Sequence, residues 1–190
     1  MKAISILVLL LTLCFSNTIQ AKNNDSLILD VTKKVLTIIK NKDYKTFAEY
    51  IHPTLGVRYS PYSYIDPATD LKFTRKKFLI EINKSSKFNW GNYDGSGDKI
   101  LLTIKEYFKT FIYNKDFLNT NNISINKITV GGNTVNNLTT IYKNCDFTEC
   151  VFPGSEKIKG GTDWCGLRLI FKQYNHHYYL VGIVHDQWTI

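Results

Sequence analysis

Trp164-Cys165-Gly166-Leu167-Arg168-Leu169-Ile170-Phe171-Lys172-Gln173-Tyr174-Asn175-His176-His177-Tyr178-Tyr179-Leu180-Val181-Gly182-Ile183-Val184-His185-Asp186-Gln187-Trp188-Thr189-Ile190 closes the chain. Two runs rich in aliphatic, β-branched and aromatic residues flank Asn175-His176, and Asn tolerates the positive φ that a two-residue hairpin turn demands. With that turn, Tyr174 faces His177, Arg168 lies opposite Ile183, and Gly166 lies opposite His185. Side chains alternate across a strand, so Trp164, Arg168 and His185 share one face. Leu167, Leu169 and Phe171 share the other with Leu180 and Val184. A slip of one residue puts Asp186 on the Arg168 face instead. An arginine among apolar strand neighbours is costly if buried alone and requires an anionic partner. The register therefore decides whether Asp186 or a ligand answers its charge.

Working upstream, 123–130, 135–143 and 147–152 read as further strands, punctuated by Gly131-Gly132, Pro153-Gly154 and Gly160-Gly161. Earlier segments read as helices. Ile28, Val31, Val35, Ile38 and Ile39 recur at helical spacing over 25–40, and Asp25 or Ser26 can cap the start. Tyr44, Phe47, Ala48 and Ile51 mark a second helix stopped by His52-Pro53, because a residue before proline is pushed out of the α region. The aromatic, proline-punctuated stretch 56–65 predicts a short strand or an extended loop. Thr74 can cap a helix carrying Phe78, Leu79 and Ile82, and 90–98 reads as a loop. Thr103 with Glu106 forms a capping box ahead of the stripe Ile104, Tyr107, Phe108, Phe111 and Ile112. Helices followed by a meander predict an α+β domain, with N-terminal helices packed on one face of a curved antiparallel sheet.

The chain has 190 residues, 44% of them hydrophobic and 14% aromatic, which suits one globular domain and excludes disorder. Met1 to Thr12 place one lysine before an apolar run too short to span a bilayer, and Ala21 offers a small residue at a cleavage edge. Residues 1–21 are thus expected to be a signal peptide and 22–190 a single domain, secreted or periplasmic. Cys14 follows Leu13, where a lipidation site wants a small residue. No later stretch reaches the roughly 18 apolar residues of a transmembrane helix. Residues 22–190 keep 23 basic and 16 acidic residues, a net charge of +7. That charge is scattered rather than clustered, and with export it argues against nucleic acid as a partner.

Cys145, Cys150 and Cys165 remain after processing, and an oxidising compartment permits one bridge. The preferred pairing is Cys145–Cys150, stapling a bend at Asn144-Cys145-Asp146, with Cys150–Cys165 on neighbouring strands as the competitor. No metal site or cofactor is expected: there is no CxxC pair, and the histidines are not at ligand spacing. Asp94-Gly95-Ser96-Gly97-Asp98 alternates oxygen ligands, but Lys99 and Lys105 stand where an EF-type loop needs Gly and Glu.

The opening helix, Lys42-Asp43-Tyr44, the stop at Ile51-His52-Pro53 and the late meander resemble the nuclear transport factor two-like (SnoaL-like, cystatin-like) α+β cone. More narrowly, Gly56-Val57-Arg58-Tyr59-Ser60-Pro61-Tyr62, Trp90-Gly91-Asn92-Tyr93-Asp94-Gly95-Ser96-Gly97 and the closing segment Leu180-Val181-Gly182-Ile183-Val184-His185-Asp186-Gln187-Trp188-Thr189-Ile190 resemble uncharacterised secreted bacterial proteins. The cone hosts dehydratases, isomerases, cyclases, binding modules and assembly domains, so the resemblance implies a fold rather than one reaction. Its catalytic members place an Asp, His or Tyr in the pocket, and no residue here matches a motif that would transfer that role.

The expected site is a concave pocket with Arg168 and His185 as polar anchors, Asp186 as the register-dependent alternative, and Trp90, Tyr93 and Trp164 as walls. Arg58, Tyr59 and His52 complete the candidate lining. The competing reading is a structural Arg–Asp pair inside an aromatic core. His52 could act as a base or cap the preceding helix, and His176 and His177 read as exposed turn residues. The leading function is a non-catalytic domain that binds a small molecule or a protein, with a homodimer through the sheet face as one such use. The alternative is a lyase, isomerase or hydrolase with a His or Asp general base and Arg168 stabilising negative charge.

Overall fold

A computed structural model describes residues 24–155 and 161–189. The expected signal peptide lies outside the described residues. Helix α1 spans 24–40 and buries Ile28, Val35 and Ile39 of the expected stripe together with Leu36, while Val31 and Ile38 are half-buried at its edges. Thr32 on its buried face shares a 2.9 Å hydrogen bond with Thr148 of the sheet, so the helix is fixed by one polar contact within an apolar interface. Helix α2 (Tyr44–Glu49) starts where Asp43 accepts a hydrogen bond from Thr46 N, and buries Phe47 and Ala48. Helix α3 (Arg75–Glu81) is capped by Thr74.

Helix α4 (Ile104–Tyr107) opens with the full Thr103–Glu106 capping box, a motif that stabilises a helix start by about 1 kcal/mol. It continues as a π-helical turn, Phe108–Ile112. The wider turn sends Phe108, Phe111 and Ile112 into the core together with Ile104 and Tyr107.

The main sheet has six strands: β1 (Val57–Ser60), β2 (Lys72–Phe73), β5 (Ile123–Ile125), β6 (Asp146–Phe152), β7 (Cys165–Tyr174) and β8 (His177–Gln187), in the order β2-β1-β8-β7-β6-β5. Strand β1 runs parallel to β8, and the other neighbours are antiparallel. The fold is therefore α+β with a curved mixed sheet, where an antiparallel one was expected. Strands β3 (Phe88–Asn92) and β4 (Lys99–Leu102) form a separate ribbon, which puts Trp90 in a strand rather than a loop.

Two further corrections follow from tertiary contacts. The expected strand at 135–143 contains a short helix, α5 (Leu138–Ile141), instead. Its approach is held by the Asn137 amide, which accepts from Ile65 N and donates to Ile65 O, both at 2.9 Å, and so does the work of a strand pair with one side chain. The expected strand 123–130 stops at Ile125, because Asn126 takes a positive φ of 51°.

Both faces of β6, β7 and β8 are covered by the chain itself. One face packs with the helices around Cys150, Leu167, Leu169, Phe171, Leu180 and Ile183. On the other, Phe147, Ile170 and Val184 pack with Ile65 and Leu138. A homodimer through the central sheet face thus has no open face to use among the described residues.

Candidate functional site

The Asn175-His176 turn forms as expected, with φ of 48° and 64° at its two residues. Tyr174 pairs with His177 and Phe171 with Leu180, but the register then shifts, so that Ile170 pairs with Gly182 and Val181 is left over as a bulge. Beyond the bulge Arg168 pairs with Val184 and Gly166 with Asp186. The one-residue slip is therefore built into the hairpin. Arg168 and Asp186 share a face, and His185 projects from the opposite side, beside Leu167.

Arg168 is fully buried, and its donors are met on every side. Nε donates to Glu149 Oε1 at 2.8 Å, Nη1 to Ser63 Oγ at 2.8 Å, and Nη2 to Asp186 Oδ2 at 2.8 Å and to Val130 O at 2.9 Å. Ser63 Oγ donates in turn to Asp186 Oδ2. The other oxygen of Glu149 accepts from Thr129 N at 2.5 Å and Thr129 Oγ1 at 2.6 Å. Gly166 lies in this cluster: a Cβ there would stand 3.3 Å from Val130, 3.9 Å from Glu149 and 4.0 Å from Asp186. Two carboxylates and a serine hydroxyl thus answer the guanidinium internally, which is the geometry a buried charge needs to be tolerated. The expectation that a ligand answers Arg168 is corrected.

His185 is equally enclosed. Pro61 O can only accept, so the 3.3 Å contact with Nδ1 places the proton there, and Nε2 accepts from Asn114 Nδ2 at 3.2 Å. Burial, with the nearby positive charge of Arg168 adding to it, pushes its pKa down to about 4. This imidazole is a neutral core member packed on Phe111, with ring centroids 5.6 Å apart. The pocket that was to join it to Arg168 does not form, because the sheet lies between them.

Of the expected aromatic lining, Trp90 and Tyr59 fill the interior instead. Trp90, 2% exposed, stacks on Tyr107 at 3.8 Å and donates from Nε1 to Leu102 O at 2.9 Å. Tyr59 is buried among Phe73, Trp90, Tyr107 and Phe108. Tyr93 is half-buried and leans on Phe111, while Trp164 is half-buried against Gly132. His52 Nδ1 accepts from Thr54 N and Leu55 N, so it caps the turn after it rather than the carbonyls of the helix before it. Its pKa is lowered by burial first and by Lys172 and Lys72 next. His176 and His177 are exposed, as expected. The 94–98 loop is wired locally: Gly95 N donates to Asp94 Oδ1 and Asp98 N to Ser96 Oγ.

The three cysteines are free, which overturns the Cys145–Cys150 pairing. Cys150 packs with the helical-side core and Cys145 with the cluster on the other face of the sheet. Cys150 pairs with Leu167 across the strands, leaving Cys165 diagonal to it rather than opposite. Burial pushes the Cys150 and Cys165 thiols up to about 12.

Of the candidate lining, Arg58 alone faces an opening in company with other charges. A cleft of about 530 Å³ is lined by Arg58, Lys72, Lys143, Lys172 and Tyr142, with Ile141 and Val181 among its apolar residues. Glu149, Ser63 and the cleft residues Tyr142, Lys143 and Lys172 had not been expected at a site. Glu149 had a signal: it stands between Phe147 and Val151 on a face that is otherwise apolar, where an acid implies a buried cation. Compared with known proteins, the chain matches no family model, no curated protein and no solved structure.

Proposed function

We propose that the protein is an exported, non-catalytic binding domain built on a nuclear transport factor two-like cone, with its binding surface outside the cone rather than within it. One observation carries this reading. The groups best suited to acid–base or electrostatic catalysis, Arg168, Glu149, Asp186 and His185, are sealed and bonded to one another or to the backbone. A general base must come within hydrogen-bond reach of a substrate proton, and a charge that already meets two carboxylates has little left for a transition state. Trp90 and Tyr59, which would wall an internal pocket, are themselves core residues. The apolar run near the start of the chain supports export.

The test compares binding with turnover. The chain is incubated with a small-molecule extract of known solute content, and each solute is followed by mass spectrometry. A binding domain removes a solute up to one equivalent of protein and returns it unchanged when the protein is unfolded. Depletion beyond one equivalent with a new product mass refutes the proposal, and no depletion at all refutes its small-ligand form in favour of a protein partner.

A further inference from the structure

We infer that the cleft at Arg58 is a binding site for a small molecule that joins a phosphate-like dianion to an apolar portion; this rests on the binding-domain reading above and names its ligand class.

The anchor is a pinned arginine. Arg58 pairs with Lys72 across β1 and β2. Its Nη1 donates to Pro67 O at 3.0 Å, Asp70 O at 3.2 Å and Asp66 O at 3.4 Å. Carbonyl oxygens fix the guanidinium without neutralising it. Nε and Nη2, the edge that matches two oxygens of a phosphate or carboxylate, meet no carbonyl or carboxylate among the described residues; the Arg58 side chain bonds the Tyr142 hydroxyl, a neutral partner that an anion can displace. An arginine held this way has already given up much of the rotamer freedom that binding would otherwise cost.

Lysines from three further places converge on it: Lys72 on β2, Lys143 after α5 and Lys172 on β7. Among the described residues no carboxylate lines the cleft and none of its four cations is in an ion pair. Their field reaches neighbouring groups: Lys172 and Lys72 both lower His52, and Lys172 opposes the upward effect of burial on Cys145. The nearest acids are Asp66 and Asp70. The Asp70 carboxylate accepts from Ser60 and from Asp66 N, and that of Asp66 from Ala68 N and Thr69. Both are hydrogen-bonded within the 66–70 loop, while the Arg58 charge favours both carboxylates and is partly offset by them. Converging like charges are a cost that a dianion would offset.

The apolar part has a place too. The Tyr142 ring lies against Gly182, where a Cβ would come within 2.5 Å of its hydroxyl oxygen and 2.8 Å of Cζ. Ile141 and Val181 extend that wall. The volume of about 530 Å³ falls within the usual range for small-molecule sites, roughly 300–1,000 Å³. A second basic cleft, at Lys40, Lys42, Lys105 and Lys109, is different in kind: Glu106 lines it and Lys40 is paired with Asp116 at 3.0 Å. It serves as the internal control.

The experiment titrates the full chain with phenyl phosphate, inorganic phosphate and benzyl alcohol at low ionic strength, read by 15N–1H NMR. Phenyl phosphate is expected to saturate, with shifts confined to Arg58 Nε, residues 140–145 and Lys172. Inorganic phosphate should bind more weakly and benzyl alcohol not at all. The double substitution Lys143→Gln with Lys172→Gln, at exposed positions, should weaken phenyl phosphate by about tenfold, and added salt should mimic it. Lys105→Gln with Lys109→Gln should leave it unchanged. Absence of saturation, equal losses in the two double variants, or equal binding of benzyl alcohol each overturn the inference. If phenyl phosphate fails while a solute is still depleted stoichiometrically from the extract, the cleft assignment falls and the binding-domain reading stands.

Discussion

Replacing Arg168 with methionine keeps most of the side chain's volume and removes its charge. The structure then leaves Glu149 and Asp186 facing each other across Gly166 with no cation between them, and Ser63 Oγ and Val130 O each lose a donated hydrogen bond. Breaking a buried ion pair from one side costs about 3–5 kcal/mol, because the partner's charge stays buried without compensation. Two carboxylates are stranded here, so the upper half of that range is expected. In a domain of this size each kcal/mol lowers the melting temperature by about 2–4 °C, giving a fall of roughly 10 °C or more. Urea unfolding followed by tryptophan fluorescence measures the loss. A triple variant, Arg168→Met with Glu149→Gln and Asp186→Asn, removes all three charges and should recover more than half of it. A loss below about 1 kcal/mol from Arg168→Met would refute the reasoning, since a sealed network cannot lose its centre so cheaply.

Other expectations follow from single groups. His185 has its folded pKa depressed from 6.5 to about 4, so the stability it contributes is complete above pH 6.5 and is lost as pH falls toward 4. The loss totals about 3 kcal/mol, at no more than about 1.4 kcal/mol per pH unit. His185→Gln should flatten that slope in urea titrations between pH 4 and 6.5, and an unchanged slope would sink the assignment. With free cysteines, dithiothreitol should leave the melting temperature unchanged, and native-state labelling should reach half-buried Cys145 before Cys150 or Cys165; a reductant-sensitive melt would contradict this. Gly182→Ala should cost about 1–3 kcal/mol by forcing the Tyr142 ring away. Combined with Tyr142→Ala, its denaturation cost should be clearly less than additive.

Most of the elements could be read from local pattern. The stripe in 25–40, the Thr74 cap and the Thr103–Glu106 box depend on neighbours within one helix, and the sequence displays them all. What could not be read depends on partners far along the chain. The parallel pairing of β1 with β8 joins Arg58 to Gly182, and no local periodicity encodes it. At 135–143 a strand was expected, yet Val135, Leu138 and Ile141 recur every three residues, and with the Asn137–Ile65 hydrogen bonds and the burial of Leu138 the segment forms a short helix. The hairpin was the decisive case. Its turn was legible from Asn175, and its register held as far as Phe171–Leu180. The bulge at Val181 then exchanged the faces of His185 and Asp186. Gly182, the next residue, was the available signal, since glycine inside a strand often marks a bulge or a close approach, and here it marks both.

The segment between Asn126 and Cys145 ties the interior to the surface. Near its start Thr129 supplies two donors to Glu149 and Val130 a carbonyl to Arg168. In its middle Asn137 fastens it to Ile65, and at its end Ile141, Tyr142, Lys143 and Cys145 line the basic cleft. The buried cluster is thus one clamp on the wall of the proposed site. A substitution at Arg168 that loosens this clamp would weaken binding in the cleft without any contact between Arg168 and ligand, so loss of binding in Arg168→Met does not by itself place the ligand at Arg168. Lys143 and Lys172 separate the two cases. Both are exposed and lack a salt-bridge partner among the described residues, so replacing them removes charge from the cleft and leaves the clamp intact. Binding that falls in those variants while urea stability is unchanged belongs to the cleft; binding that falls only in step with stability belongs to the clamp.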